Sequence, residues 1–195
     1  MSNLVAVMRN GEVIQVGTPR QIYNEPATTF VAEFVGNINR VSGIIAGSGT
    51  GALEIDTPIG RLTAAAQHEL SPGDSCEVII RPEQIEVLPA AAADQVASSS
   101  HSLVRGRIAR SVFYGQYVYT EVDVNDVLVR GHVHPSAEFK RGEDVVLRIP
   151  HRQIRLFDTS DDDGADPGWK RPSETSSAEI DDFEDELDAV PTARA

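Results

Sequence analysis

The sequence predicts a mainly β protein: two similar barrel- or sandwich-like modules packed as one unit, behind a short hairpin-and-helix segment and ahead of an acidic tail. Three observations carry this. First, a long stretch is written twice. GDSCEVIIRPEQIEVL at residues 73–88 returns without a gap, 69 positions later, as GEDVVLRIPHRQIRLF at residues 142–157. Upstream, Gly43-Ile44-Ile45 corresponds to Gly106-Arg107-Ile108 at a shift of 63, so the second copy holds six extra residues in between. A long unit copied once points to two similar modules that bury a face against each other. Second, short alternating apolar runs are separated by turn residues at the roughly 8–12-residue spacing of all-β folds. Third, the charge is uneven: of 30 acidic and 17 basic residues in the chain, 13 acids and 3 bases lie from Asp158 onward.

Each element follows from local chemistry. Residues 4–8 form an apolar strand-like run, and Asn10-Gly11 is a two-residue hairpin signal because both residues tolerate positive φ. Residues 12–16 alternate as the return strand. Thr18-Pro19 opens a helix over 19–24, with Thr18 as N-cap and Pro19 where its missing N–H is harmless. Pro26 stops it. A second helix starts at Thr28 or Thr29, carries Phe30, Val31, Phe34 and Val35 at helical spacing, and has Gly36 as its expected C-terminal cap. The period then changes to two. Strands are expected at 39–45, 52–56, 61–64, 76–81 and 85–88, with turns at 47–51 and at Ser71-Pro72-Gly73-Asp74. The second copy repeats the scheme at 103–112, 117–124, 127–133, 144–149 and 154–157. Residues 89–102, rich in Ala and Ser, read as a linker. Residues 158–195 have few apolar side chains and clustered acids, and are expected to be disordered.

Composition narrows the function. The net charge of −13 belongs mostly to the tail, and neither part has the basic surplus that displaces counterions from nucleic acid. No stretch reaches the roughly 18 apolar residues of a membrane-spanning helix. The single cysteine, Cys76, excludes an internal disulfide and suits a reducing compartment, with a buried structural side chain as the expected role. Gly47-Ser48-Gly49-Thr50-Gly51 looks superficially like a phosphate loop but lacks the Lys-Ser/Thr pair that must come after it, so it reads as a hairpin turn. His132 and His134 sit two apart on an expected strand and so share a face, but no third metal ligand has matching spacing. His68, His101 and His151 are isolated in the sequence. Phe113, Tyr114, Tyr117 and Tyr119 would suit base stacking on an OB-like barrel or, against the negative charge, plain hairpin packing. No catalytic triad or carboxylate pair is proposed.

The front segment, VAVMRNGEVIQVGTPRQIYNEPATTFVAEFVGNINRVSG, resembles the end of the nucleotide-binding domain of ATP-binding cassette importers. Its carriers are NGEVIQVGTP, the IYNEP end and FVAEFVG. The β-rich body behind it resembles that family's tandem TOBE (transport-associated OB) domain, with IIRPEQIEV at 79–87 as strand signature. The resemblance spans residues 4–158 and implies three parts: a remnant of the nucleotide-binding domain (1–36), a tandem OB-like regulatory domain (37–157, copies 37–88 and 103–157, linker 89–102) and a disordered tail (158–195). It implies no catalysis by this chain, because the GxxxxGK[ST] loop and the other ATP-site motifs are not in it. ATP would enter only through a separate cassette. The implied partners are that cassette and permease subunits, in a homodimer or heteromer, without nucleic acid or membrane insertion, at the cytoplasmic face. The GNINRVSG entry is closer to the polyamine and iron group than to the maltose group. Some TOBE-type domains resemble oxyanion carriers, which offers a free-standing small-ligand module as the alternative. The candidate ligand or interface residues are Arg81, Glu83, Arg107 and Arg110. Finally, a hairpin without its usual sheet leaves aliphatic residues short of partners, so residues 1–17 are expected to be loosely held or to dock on another protein.

Overall fold

Twelve strands and two short helices make up the computed structural model, which describes residues 3–49, 51–66, 70–93 and 99–159. The expected acidic tail from residue 160 and part of the expected linker lie outside these residues. The chain opens with the hairpin β1 (Val5–Arg9) and β2 (Glu12–Gly17), joined by Asn10 and Gly11 at φ 51° and 86°. Helix α1 (Pro19–Asn24) starts on a capping box: the Thr18 hydroxyl accepts from the Gln21 N–H, and the Gln21 side chain accepts from the Thr18 N–H. Helix α2 (Thr29–Phe34) is capped by Thr28. It ends at Val35, and Gly36 does not take the positive φ expected of a cap. The missing side chain of Gly36 serves packing instead, against Arg81 and Tyr23.

Two five-stranded antiparallel sheets come next. The first runs β12-β6-β3-β4-β5 and the second β10-β9-β8-β11-β7. The first copy supplies β3 (Asn39–Gly49), β4 (Ala52–Thr57), β5 (Gly60–Ala65), β6 (Ser75–Ile80) and β7 (Glu86–Pro89). The second supplies β8 (His101–Phe113), β9 (Val118–Val124), β10 (Val127–Val133), β11 (Asp144–Pro150) and β12 (Arg155–Asp158). The copies therefore exchange their last strands. β7 pairs with β11, Glu86 opposite Arg148, while β12 pairs with β6, Arg155 opposite Ile79. In each copy a 3-10 turn, Pro82–Gln84 or His151–Gln153, carries the chain out of its own sheet and into the other.

The repeat reproduces itself down to hydrogen bonds. Gly43 pairs with Cys76, and Gly106 with Val145. Ile45 donates to Asp74 O and accepts from Gly73 N, and Ile108 does the same with Glu143 and Gly142. Both copies have an irregularity at the same place, after Ile45 and after Ile108. The register also locates the six extra residues. Ile55 matches Val122, a shift of 67, so four residues extend the β8–β9 hairpin and two lie between β10 and β11. The extended hairpin carries Phe113, Tyr114 and Tyr117. In contrast, β3 runs through Gly49, so the expected 47–51 turn is confined to its end, with Gly51 at φ 77°.

One apolar core serves both sheets. Ile45, Ile55, Leu62, Val78 and Ile80 from the first copy cluster with Ile108, Val122, Leu147 and Ile149 from the second, all at most 1% exposed. The exchanged strands add Val87 and Leu156. Two glycines set the tightest approach. A Cβ on Gly43 would lie 2.5 Å from the Ile55 side chain, and one on Gly106 would lie 2.6 Å from Val122 and 2.7 Å from the Asp123 carbonyl oxygen. The front segment has a small core of its own, in which Val7, Ile22 and Val31 are buried. It also docks on the exchange: Ala32 and Ile38 pack with Ile79 of β6 and Phe157 of β12. Arg40 extends this contact, lying 3.1 Å from Glu77 and 3.6 Å from Glu33.

Candidate functional site

The Pro82–Gln84 turn places Arg81 and Glu83 under α1. Arg81 caps the end of β6 and is 5% exposed. Its Nη2 donates to the Tyr23 carbonyl oxygen (2.9 Å), and its guanidinium lies 3.7 Å from the centroid of the Tyr23 ring. The Tyr23 hydroxyl donates to Glu83. Burial, reinforced by the Glu83 bond, pushes the Tyr23 phenol up to about 12, so it stays a donor across the ordinary pH range. Gly36 completes the interlock, because a Cβ there would lie 3.1 Å from Arg81 Nη1 and 3.4 Å from Tyr23. That Nη1 is buried with no hydrogen-bond partner among the described residues.

A second tie lies one strand further on. Asn39, 6% exposed, donates through Nδ2 to the Arg130 carbonyl and accepts at Oδ1 from the Arg130 N–H, both at 2.8 Å. Its amide thus imitates a strand partner for the edge of β10. The other half has a related bond, in which the Thr63 N–H of edge strand β5 donates to the Ser102 hydroxyl (2.9 Å).

The four sequence candidates separate. Arg81 and Glu83 form the α1 interlock. Arg81 lines a narrow cleft with Tyr23, Gln84, Gln153 and Arg155. Arg107 is exposed on β8, where its Nε donates to Asp144 (3.0 Å) in a groove that also holds Asp123 and Asp126. Carboxylates around it cancel its field for an anion. Arg110 lies beyond the β8 irregularity, opposite Glu121.

The histidines are also rearranged. His134 does not stand on the strand that carries His132. It falls past the end of β10, and its Nδ1 lies 2.7 Å from the Ser136 hydroxyl. His132 is stacked on Tyr117 with ring centroids 4.1 Å apart. Burial holds its pKa below the usual value, while Glu83 nearby opposes the shift. Tyr114 stacks on Tyr117 and meets Tyr119 edge-on, so these aromatics pack on one another at the hairpin. His101 and His151, far apart in sequence, come together: Ser100 Oγ lies 2.9 Å from His101 Nδ1, and the Ser100 carbonyl accepts from His151 N at 3.0 Å. No local pattern marks Tyr23 or Asn39 as ties, since each contacts a residue more than 50 positions away. Among the described residues, no group of three or more His, Cys, Asp or Glu side chains is placed to hold a metal ion. The arrangement holds segments together through these ties.

The described residues thus form a tandem OB-like unit joined by exchanged strands, with a hairpin-and-helix segment held against it. Comparison places it more closely. Residues 78–157 match the TOBE domain family. The chain is homologous to the C-terminal region of importer ATP-binding subunits of the ATP-binding cassette class. It is 33% identical over 157 residues to the spermidine/putrescine import ATP-binding protein PotA of Acetivibrio thermocellus, covering 80% of this chain and 40% of that protein. It is 34% identical over 116 residues to the sulfate/thiosulfate import ATP-binding protein CysA 1 of Chromobacterium violaceum, covering 60% of this chain and 30% of that protein. The chain thus spans 40% or less of the length of these two relatives. Among solved structures, the fold is similar to the cytoplasmic molybdate-binding protein ModG in a crystal form with molybdate bound. The TM-score is 0.54 at 13% identity, covering 60% of this chain and 94% of that one. Among the described residues, no helix is long and apolar enough to cross a membrane.

Proposed function

We propose that this chain provides the regulatory and dimerisation domain of an ATP-binding cassette importer, working at the cytoplasmic face of the membrane against a nucleotide-binding cassette and its permease subunits. The chain contributes no ATP-site residue in this reading. The observation that supports it is the two-faced hairpin. Val7 is 2% exposed against α1 and α2, whereas Val13 and Val16 are 55% and 58% exposed, with Met8 at 52%. An apolar hairpin face joined to the β body through α1 and Arg81 suits docking on a sheet edge or core supplied by another domain. Homology to polyamine and sulfate import ATP-binding subunits supports the class of partner. The test is to mix this chain with a cassette-only fragment of an import ATP-binding subunit and measure association and ATP hydrolysis. We expect a complex and an altered rate, both weakened by Val13→Asp. No association together with an unchanged rate would refute the proposal.

A second reading, a free-standing oxyanion carrier, draws on the ModG-like fold alone. Its expected cations, Arg81, Arg107 and Arg110, do not line a common cleft, which ranks it second. Calorimetry with molybdate, sulfate and phosphate tests it, and absence of heat with all three removes it.

A further inference from the structure

The repeat makes each half a template for the other, and one position has been hollowed out. In the second half, Tyr119 and His132 face each other across β9 and β10. Their counterparts in the first half are Ala52 and Ala65, paired across β4 and β5 in the same register. The turns differ in the same sense. Glu83 stands in the first copy where Arg152 stands in the second, at the repeat shift of 69. In one groove the space is filled by Tyr119, stacked neighbours and His132, with Tyr23 bonded to Glu83 beside them. In the other, small side chains leave an open groove of about 460 Å³, lined by Gly51, Ala52, Ala65, Pro150 and, at one side, Ser99, Ser100, His101, His151 and Arg152.

We propose that this groove binds a small organic anion, its apolar body on Ala52, Ala65 and Pro150 and its anionic head against His101, His151 and Arg152. Three features argue for that class. Among the described residues no carboxylate lines the groove, and the ionisable side chains there, His101, His151 and Arg152, are all bases. The histidines are held in place by Ser100, whose hydroxyl engages His101 Nδ1 and whose carbonyl anchors the His151 backbone, leaving the far nitrogen of His101 for a ligand. Arg152 is exposed and makes no ion pair among the described residues, so its planar fork of donors remains available. The apolar floor distinguishes the ligand from a bare tetrahedral oxyanion, which would leave the alanine and proline surface wet. This site is independent of the cassette-docking face.

The test is calorimetry on the full chain with phenyl phosphate, benzoate, inorganic phosphate and molybdate. Phenyl phosphate or benzoate is expected to bind at least tenfold more tightly than inorganic phosphate or molybdate. Arg152→Gln, a surface change that should leave the thermal midpoint unaltered, is expected to weaken binding about tenfold, and Ala65→Leu to abolish it by filling the floor. Equal affinity for inorganic and organic anions overturns the proposal in favour of an oxyanion site. Absence of binding by both organic probes overturns it, as does binding insensitive to Arg152→Gln. Dimerisation of the chain that Ala65→Leu abolishes would assign the groove to a second copy instead.

Discussion

Gly106 shows how little room the exchanged architecture leaves. Its missing Cβ is where Val122 and the Asp123 carbonyl already stand, and the backbone oxygen cannot rotate away. Gly106→Ala is therefore expected to destabilise the fold by about 1–3 kcal/mol, read as a lower urea midpoint at unchanged slope. Gly43→Ala meets mainly the Ile55 side chain and should cost less. The histidines give a pH dependence whose sign is fixed. Burial lowers the pKa of both His132 and His151; at His151 a hydrogen bond with the His101 backbone opposes the shift and repulsion from the His101 ring adds to it. The unfolded chain then binds more protons near its ordinary histidine pKa of about 6.5. Their contribution is fully present above that value and is lost as pH falls towards the lower folded pKa. Urea midpoints at pH 7.5 and 5.5 should differ less in His132→Gln than in the parent. An equal difference would mean that His132 does not take part.

At the level of elements, the front segment and the last strand carry the informative contacts. Arg81 holds α1 through a carbonyl bond and a stacked ring, and Glu83 holds the Tyr23 hydroxyl. Arg81→Met keeps some of the stem but removes both polar ties. The expected loss is about 1–3 kcal/mol of local stability, seen as faster amide exchange in residues 19–34 with residues 39–57 unchanged. Limited proteolysis should cut residues 3–17 before the barrel, because only one side of the β1–β2 hairpin is covered. β12 makes a different prediction. Leu156→Ala, at a site 1% exposed, should cost about 2–5 kcal/mol. Because β12 belongs to the first copy's sheet, amide exchange should rise in β6 and β3 as well as in the second copy. Protection lost only after residue 100 would contradict the pairing.

For the whole molecule, the sequence displayed the repeat, the turns and most strands, since these depend on neighbours in the chain. Gly73 and Gly142 lie at φ 97° and 84°, as their turns require. The exchange was not legible. β7 and β12 have the same alternation whichever sheet receives them, and only the direction in which the Pro82–Gln84 and His151–Gln153 turns send the chain decides. The candidate site was half legible: Arg81 and Glu83 are central to the interlock, while Arg107 and Arg110 stand apart. The meeting of His101 with His151 depends on a β8–β11 register that no local pattern encodes.

The exchange also says what a lone repeat would do. Freed from its twin, one copy would keep a sheet with an open edge at β6 or β11 and a terminal strand with nowhere of its own to go. Two such fragments would lend each other that strand and form a symmetric swapped dimer, whose assembly would depend on concentration. Fusion into one chain replaces that dependence with a tether, so the partner strand is always present at a high effective concentration. Duplication has also released the halves from identity. One groove is filled by Tyr119 and His132, while its twin carries Ala52 and Ala65 and stays open.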